Sequence, residues 1–84
     1  MIRLFGSKGC PECRDLISFM KKNKISYVYI DAMSDDPYED AICEVYNVDE
    51  LPHIQKLNEE GEVAKQGIGF EESIKIINNL LKEN

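Results

Sequence analysis

Gly6-Ser7-Lys8-Gly9-Cys10-Pro11-Glu12-Cys13-Arg14, directly behind the apolar run Ile2–Phe5, is the stretch on which the reading of this 84-residue chain turns. Cys10 and Cys13 stand three apart, with Pro11 where a first helical residue would be. Proline suits that position because its missing N–H is one a helix leaves unpaired anyway. Apolar periodicity continues through Leu16, Ile17 and Met20, so both cysteines are expected in the first turn of a helix fed by a strand. Unpaired backbone N–H groups and the positive end of the helix dipole then point at the sulfur, a field that favours thiolate over thiol. Residues i and i+3 share a helix face, which brings the two sulfurs within reach of each other. Strand, turn, C-x-x-C and helix together make a device for gaining and losing two electrons.

The same spacing has a second reading, as half of a zinc site. Structural zinc asks for two such pairs, or one pair with a His-x(3–5)-His. Here one pair is joined only by Cys43 and His53. A set of Cys10, Cys13, Cys43 and His53 is arithmetically open but has no second ligand pair behind it, so redox chemistry is preferred and metal stays as the alternative.

Length and composition bound the rest. Residues 1–84 are expected to form one domain with a modest core, since a chain this short buries only about two-thirds of its unfolded surface. With 43% hydrophobic and 31% charged residues the chain is too apolar for disorder. No window approaches the ~18 uninterrupted apolar residues of a membrane span, and the start shows no signal-peptide core. A cytoplasmic location is therefore expected, and an odd cysteine count in a reducing compartment suits a catalytic pair. A net charge of −6 argues against nucleic acid or an anionic membrane as partner. The acids clustered between Asp31 and Glu50 read as a solvated face.

Along the chain, Ile2–Phe5 is a first strand and Pro11 to Lys22 a first helix, ended by Lys21, Lys22 and Lys24, with Asn23 suited to a left-handed cap. Ile25–Ile30 is β-branched and aromatic, a second strand, parallel to the first across the helix. Asp36, Pro37 and Glu39 signal a second helix with a capping box, presenting Ala41, Ile42, Val45 and Tyr46 and stopping near Asn47. Cys43 within it is expected to be a buried structural thiol. Leu51-Pro52-His53-Ile54 opens a third strand, although His53, Gln55 and Lys56 suit a central strand poorly. His53 is expected to be half-exposed, with a proton-shuttle role as the less favoured reading. Asn58–Gly61 turns into a fourth strand at Glu62–Gln66. Gly67 and Gly69 read as turn residues that let another backbone come close, not as a phosphate loop. The last helix carries Phe70, Ile74, Ile77 and Leu81 at 3.6-residue spacing.

The order β-α-β-α-β-β-α, with the cysteine pair at the first strand-to-helix junction, resembles the minimal thioredoxin fold, an α/β architecture whose four-stranded mixed sheet is flanked by three helices. The nearest resemblance is to glutaredoxins and small glutaredoxin-like redoxins. Ser7-Lys8-Gly9-Cys10-Pro11-Glu12-Cys13 is similar to the family's Ser-Lys-x-x-Cys-Pro-Tyr-Cys segment, one residue shorter. Leu51-Pro52-His53-Ile54 sits where the family has Thr-Val-Pro with a cis proline. Ile68-Gly69-Phe70-Glu71-Glu72 sits where it has Gly-Gly-x-Asp-Asp. The resemblance implies that Cys10 is the nucleophile and Cys13 the resolving thiol, and that Lys8, Pro11, Leu51, Pro52 and Gly69 surround the substrate. It implies no bound cofactor and no metal. The substrates would be disulfide-bearing proteins, ribonucleotide reductase among the candidates, with glutathione or a flavoprotein reductase as electron source and a monomeric state. A metal-binding module on Cys10 and Cys13, holding zinc or an iron–sulfur cluster, and a redox-inert interaction domain are the two competing classes.

Overall fold

A computed structural model describes residues 1–83. Its elements are β1 (Ile2–Gly6), α1 (Pro11–Lys22), β2 (Tyr27–Asp31), α2 (Pro37–Val45), β3 (His53–Leu57), β4 (Val63–Ile68) and α3 (Phe70–Lys82). The sheet order is β2-β1-β3-β4. β1 and β2 run parallel, with Ile2 opposite Tyr27 and Gly6 opposite Asp31, whereas β3 is antiparallel to both β1 and β4. The expected α/β order and mixed sheet are therefore present.

One face of the sheet is apolar. Ile2, Leu4 and Ile54 meet Leu16 and Met20 of α1 and Ile77 of α3 in a buried cluster, with Phe70, Ile74 and Leu81 packed at its margin. The stripe at 3.6-residue spacing in α3 thus faces the core. Close approach of α3 to β4 depends on Gly67: a Cβ there would meet the backbone of Glu72 and Ser73 at 2.8 Å. Ser73, itself buried, donates its hydroxyl to the Gly67 carbonyl at 3.3 Å.

The opposite face mixes buried Phe5, Ile30 and Leu57 with polar side chains, and it corrects the expectation for the third strand. β3 is central, and His53 and Gln55 are 1% and 0% exposed. They are tolerated because partners come from distant strands: Arg3 Nη1 donates to Gln55 Oε1 at 2.8 Å, and His53 Nε2 lies 3.1 Å from Gln66 Oε1. The Arg3 guanidinium in turn sits 5.6 Å from the Tyr46 ring centroid. Gln55 Nε2 is buried without a partner.

Element ends differ from the sequence reading for local reasons. β2 begins at Tyr27, because Lys24 takes the left-handed conformation (φ 57°) and Ile25 N–H returns to the Met20 carbonyl. Asn23 does not go left-handed; its Nδ2 caps the Phe19 carbonyl at 2.8 Å. At α2, Asp36 caps the Tyr38 N–H as expected. Glu39 does not close a box, however: its carboxylate accepts the Asp31 N–H at 2.8 Å, pinning α2 to the end of β2. α2 buries none of its side chains, and Val45 is 70% exposed. β4 extends to Ile68, into the glycine turn. No helix among the described residues is long and apolar enough to cross a membrane.

Candidate active site

Cys10 sits at the junction of β1 and α1 and is the N-cap of the helix, not a residue of its first turn. Its backbone is extended (φ −106°, ψ 102°), and its Sγ accepts the N–H of Cys13 at 3.1 Å. A sulfur thus does the work usually given to a serine or aspartate oxygen at this position. Its carbonyl accepts from Arg14 N–H, starting the helical ladder, and Pro11 occupies N1. Cys13, one turn on, has its sulfur within bonding distance of Cys10 Sγ, with the Cα atoms 5.2 Å apart. Exposure separates the pair: Cys10 is half-buried, whereas Cys13 is 1% exposed. A reacting molecule therefore reaches one sulfur.

Cys13 is backed by β1 and β2. A Cβ on Gly6 would lie 3.4 Å from Cys13 Sγ and 3.2 Å from Tyr29 Cε1, so any larger residue there would push the phenol ring aside by a few tenths of an ångström. Burial raises the Tyr29 hydroxyl above its usual range, and Asp31, Glu39 and Tyr27 push it further the same way. The ring therefore stands behind the dithiol as a neutral phenol at physiological pH. Neither Gly6 nor Tyr29 was singled out from the sequence, where a strand-end glycine and a strand tyrosine carry no local signal of this contact.

The Leu51–Pro52 bond, just ahead of β3, is cis. Pro52 is buried, Leu51 half-buried, and the Pro52 carbonyl accepts the Gly69 N–H at 2.8 Å. Pro52 and Gly69, far apart in sequence, are thereby joined at the start of α3. Gly69 has φ 87° and caps α3 without a side chain. Two carboxylates crowd this turn: Glu72 Oε1 accepts the Ile68 N–H at 2.9 Å, and Glu50 Oε2 occupies the position a Gly69 Cβ would take. Glu50 had no distinguishing mark in the acid-rich stretch. Lys8 is exposed two residues ahead of Cys10, and Pro11 is exposed beside it.

Two other expectations change. His53 is buried rather than half-exposed, its ring 5.2 Å from that of Phe5 at a 55° tilt. Phe5 and Gly6 point to opposite faces of the sheet. With Gly6 against Cys13, the His53 imidazole therefore lies on the face away from the sulfurs, out of place for shuttling their protons. Cys43 is only partly buried, not a core thiol. Burial pushes its ionisation up, with Asp40, Glu39 and Asp31 adding to the shift. Among the described residues no three His, Cys, Asp or Glu side chains gather as a metal would require, so Cys10, Cys13, Cys43 and His53 do not assemble into one set.

Comparison with known proteins places this geometry. The sequence model described as Glutaredoxin matches residues 2–60. A crystal structure of the thioredoxin-like protein BC3987 superposes with a TM-score of 0.70 at 22% identity, over 95% of this chain and 99% of that one. A mutant of the same protein gives 0.70 at 23% identity, over 96% and 99%. At that identity the likeness bears on the fold alone. No curated protein matches the chain.

Proposed function

Since the chain belongs to the glutaredoxin family and carries a dithiol at the head of a helix, we propose that it reduces protein disulfides through Cys10 and Cys13. In this reading the Cys10 thiolate attacks one sulfur of a substrate disulfide. The substrate S–S bond breaks, a Cys10–substrate disulfide forms, and the departing substrate thiolate takes a proton from water. Cys13, having given up its proton, attacks Cys10 Sγ and expels the second substrate thiolate, which is protonated in turn. The substrate gains two electrons and two protons, and Cys10 and Cys13 are left oxidised as a disulfide. Lys8, Pro11, Leu51, Pro52 and Gly69 are the residues assigned to hold the substrate. The Leu51 backbone would meet it in the manner of an added strand. One 84-residue domain acting as a cytoplasmic monomer, with no bound cofactor, completes the proposal.

The observation that carries it is the pairing of an accessible capping sulfur with a buried partner at bonding distance, because it supplies a nucleophile and a resolving thiol in fixed order. For the electron source, support leans to a flavoprotein reductase over glutathione. Glutathione is anionic, and Glu50 and Glu72 already place two carboxylates at the Gly69 turn. A ribonucleotide-reductase-type protein is one substrate of the right kind.

The test is reduction of a protein disulfide by the dithiol form, followed in wild type, Cys10→Ser and Cys13→Ser. Turnover should vanish in Cys10→Ser, and Cys13→Ser should accumulate a mixed disulfide with its substrate. Full turnover by Cys10→Ser would overturn the proposal. Offering the oxidised protein either glutathione with its reductase or thioredoxin reductase decides the electron source.

A further inference from the structure

A groove of about 520 Å³ runs between α1 and β2, beginning at Lys8 beside the dithiol. Its floor is Tyr27, Tyr29 and Ile17, and its rim is Lys8, Arg14 and Lys21. Arg14, Ile17 and Lys21 share one face of α1 through their i, i+3, i+7 spacing. Charge is sorted sharply here. The chain has 16 acids against 10 cations, yet three cations and no acid line this groove. Glu12 and Asp15 are also on the exposed surface of α1 but outside the lining. Two acids bear on the groove at its Tyr29 end: Asp31, in the adjoining depression with its Oδ1 accepting the Met33 N–H, and Glu39, whose carboxylate accepts the Asp31 N–H. After burial, both push the Tyr29 hydroxyl up.

Tyr29 connects the groove to the chemistry. Its ring is 38% exposed on one side, and on the other it meets Cys13 across the space kept open by Gly6. Neither cysteine lines the groove, but its Ser7–Lys8 end lies two residues ahead of Cys10, so a chain lying in it passes Lys8 on the way to that sulfur. Met33, 77% exposed, extends the apolar surface at the Lys8 end.

We infer that this groove docks an acidic segment flanking the disulfide of the partner protein. Its apolar side chain would rest on Tyr27 and Tyr29, and its carboxylates would face Lys8, Arg14 and Lys21. The inference rests on the proposed dithiol reading and adds a substrate class to it: disulfides in acidic surroundings are taken in preference to neutral ones. In a protein of net charge −6, a localised cationic rim also steers approach, since complementary patches raise association rates.

Two disulfide-closed peptides, identical except that Asp and Glu flanks in one are Asn and Gln in the other, serve as probes. Cys10-dependent kcat/KM should favour the acidic peptide by about tenfold at low salt, and the preference should shrink as added salt screens the rim. In Lys21→Glu and in Arg14→Glu the acidic-to-neutral ratio should fall towards one. An unchanged ratio in both variants would overturn the inference. Binding of the acidic peptide with serines in place of its cysteines, followed by fluorescence anisotropy, separates docking from chemistry. Weaker binding in Lys21→Glu supports the groove even if no disulfide is turned over, an outcome that would sink the dithiol reading alone. No binding to wild type would sink the groove.

Discussion

Replacing Gly67 by alanine tests whether the contact of α3 on β4 is as tight as the geometry makes it. The new Cβ would stand 2.8 Å from the Glu72 carbonyl carbon and the Ser73 nitrogen and 2.9 Å from the Glu72 oxygen. Unstrained carbon contacts lie at about 3.5–4.0 Å, so strand and helix must part by roughly half an ångström or more. All three atoms are backbone, and none can rotate aside. Overpacking of this kind costs about 1–3 kcal/mol, and the stiffer unfolded chain of an alanine variant returns about 0.4–1 kcal/mol. The midpoints leave a net loss of about 1.3 kcal/mol, which at about 4–8 °C per kcal/mol for a domain this size lowers Tm by about 5–10 °C. Gly9→Ala is the control, because a Cβ there meets nothing within 4 Å. Thermal unfolding followed by far-UV circular dichroism on both variants decides the matter. If Gly67→Ala melts within about 2 °C of wild type, the strand–helix seam has slack and the reasoning fails.

Further outcomes are expected. Gln55→Leu removes the buried, unpartnered Nε2 together with the acceptor of Arg3 Nη1; since Arg3 is only half-buried and can turn to water, the variant should unfold within about 0.5 kcal/mol of wild type or above it. Arg3→Met strands the whole of that amide and should cost about 1–3 kcal/mol; urea titration giving the reverse order would refute this account. Cys43 should alkylate slowly at neutral pH because burial and the Asp40, Glu39 and Asp31 charges raise its ionisation. The folded chain then holds that proton to higher pH than the unfolded chain. Stability is complete below the unfolded thiol value, about 8.5, and drains as pH rises beyond it, and Cys43→Ala should flatten this alkaline decline. Glu50→Gln with Glu72→Gln should speed recharging of the oxidised protein by glutathione several-fold while leaving recharging by thioredoxin reductase less affected; coupled NADPH assays would show it, and equal changes with both reductants would refute it.

Much of this architecture could be read from short-range pattern. α1 begins and ends where Pro11 and the lysine run place it, and α3 buries its expected stripe, because caps and 3.6-residue spacing act within a few residues. β3 resisted for the opposite reason. His53 and Gln55 look wrong for a central strand until Gln66 and Arg3 arrive, the latter 52 residues away in sequence. Glu39 fits a capping box by spacing, but Asp31 N–H is the donor it meets, a choice made by how α2 returns to β2. Glu50 at the Gly69 turn and Tyr29 behind Cys13 carry no local mark at all. Around the dithiol, then, the close cysteine pair at a helix start was legible and its surroundings were not, since only the former is built from consecutive residues.

That difference bears on how the site is tuned. Cys10 takes its capping role from the start of α1, so any sequence with this strand–turn–helix junction offers a sulfur to the Cys13 N–H. Cys13 is different: its 1% exposure depends on Gly6, Tyr29 and the packing of β1 against α1. On the dithiol reading proposed above, a reductant that attacks Cys10 Sγ expels the Cys13 thiolate, an anion formed at a buried position near the Tyr29 ring. Burial opposes that anion, while the unpaired N–H groups and dipole at the start of α1 favour it. On that reading the balance between these two, with burial supplied around Gly6 and Tyr29 and the field supplied by the start of α1, would set how readily the protein is recharged. A bulkier residue at position 6 would alter it by pressing on the Tyr29 ring and on Cys13 Sγ, 3.4 Å from the first added carbon.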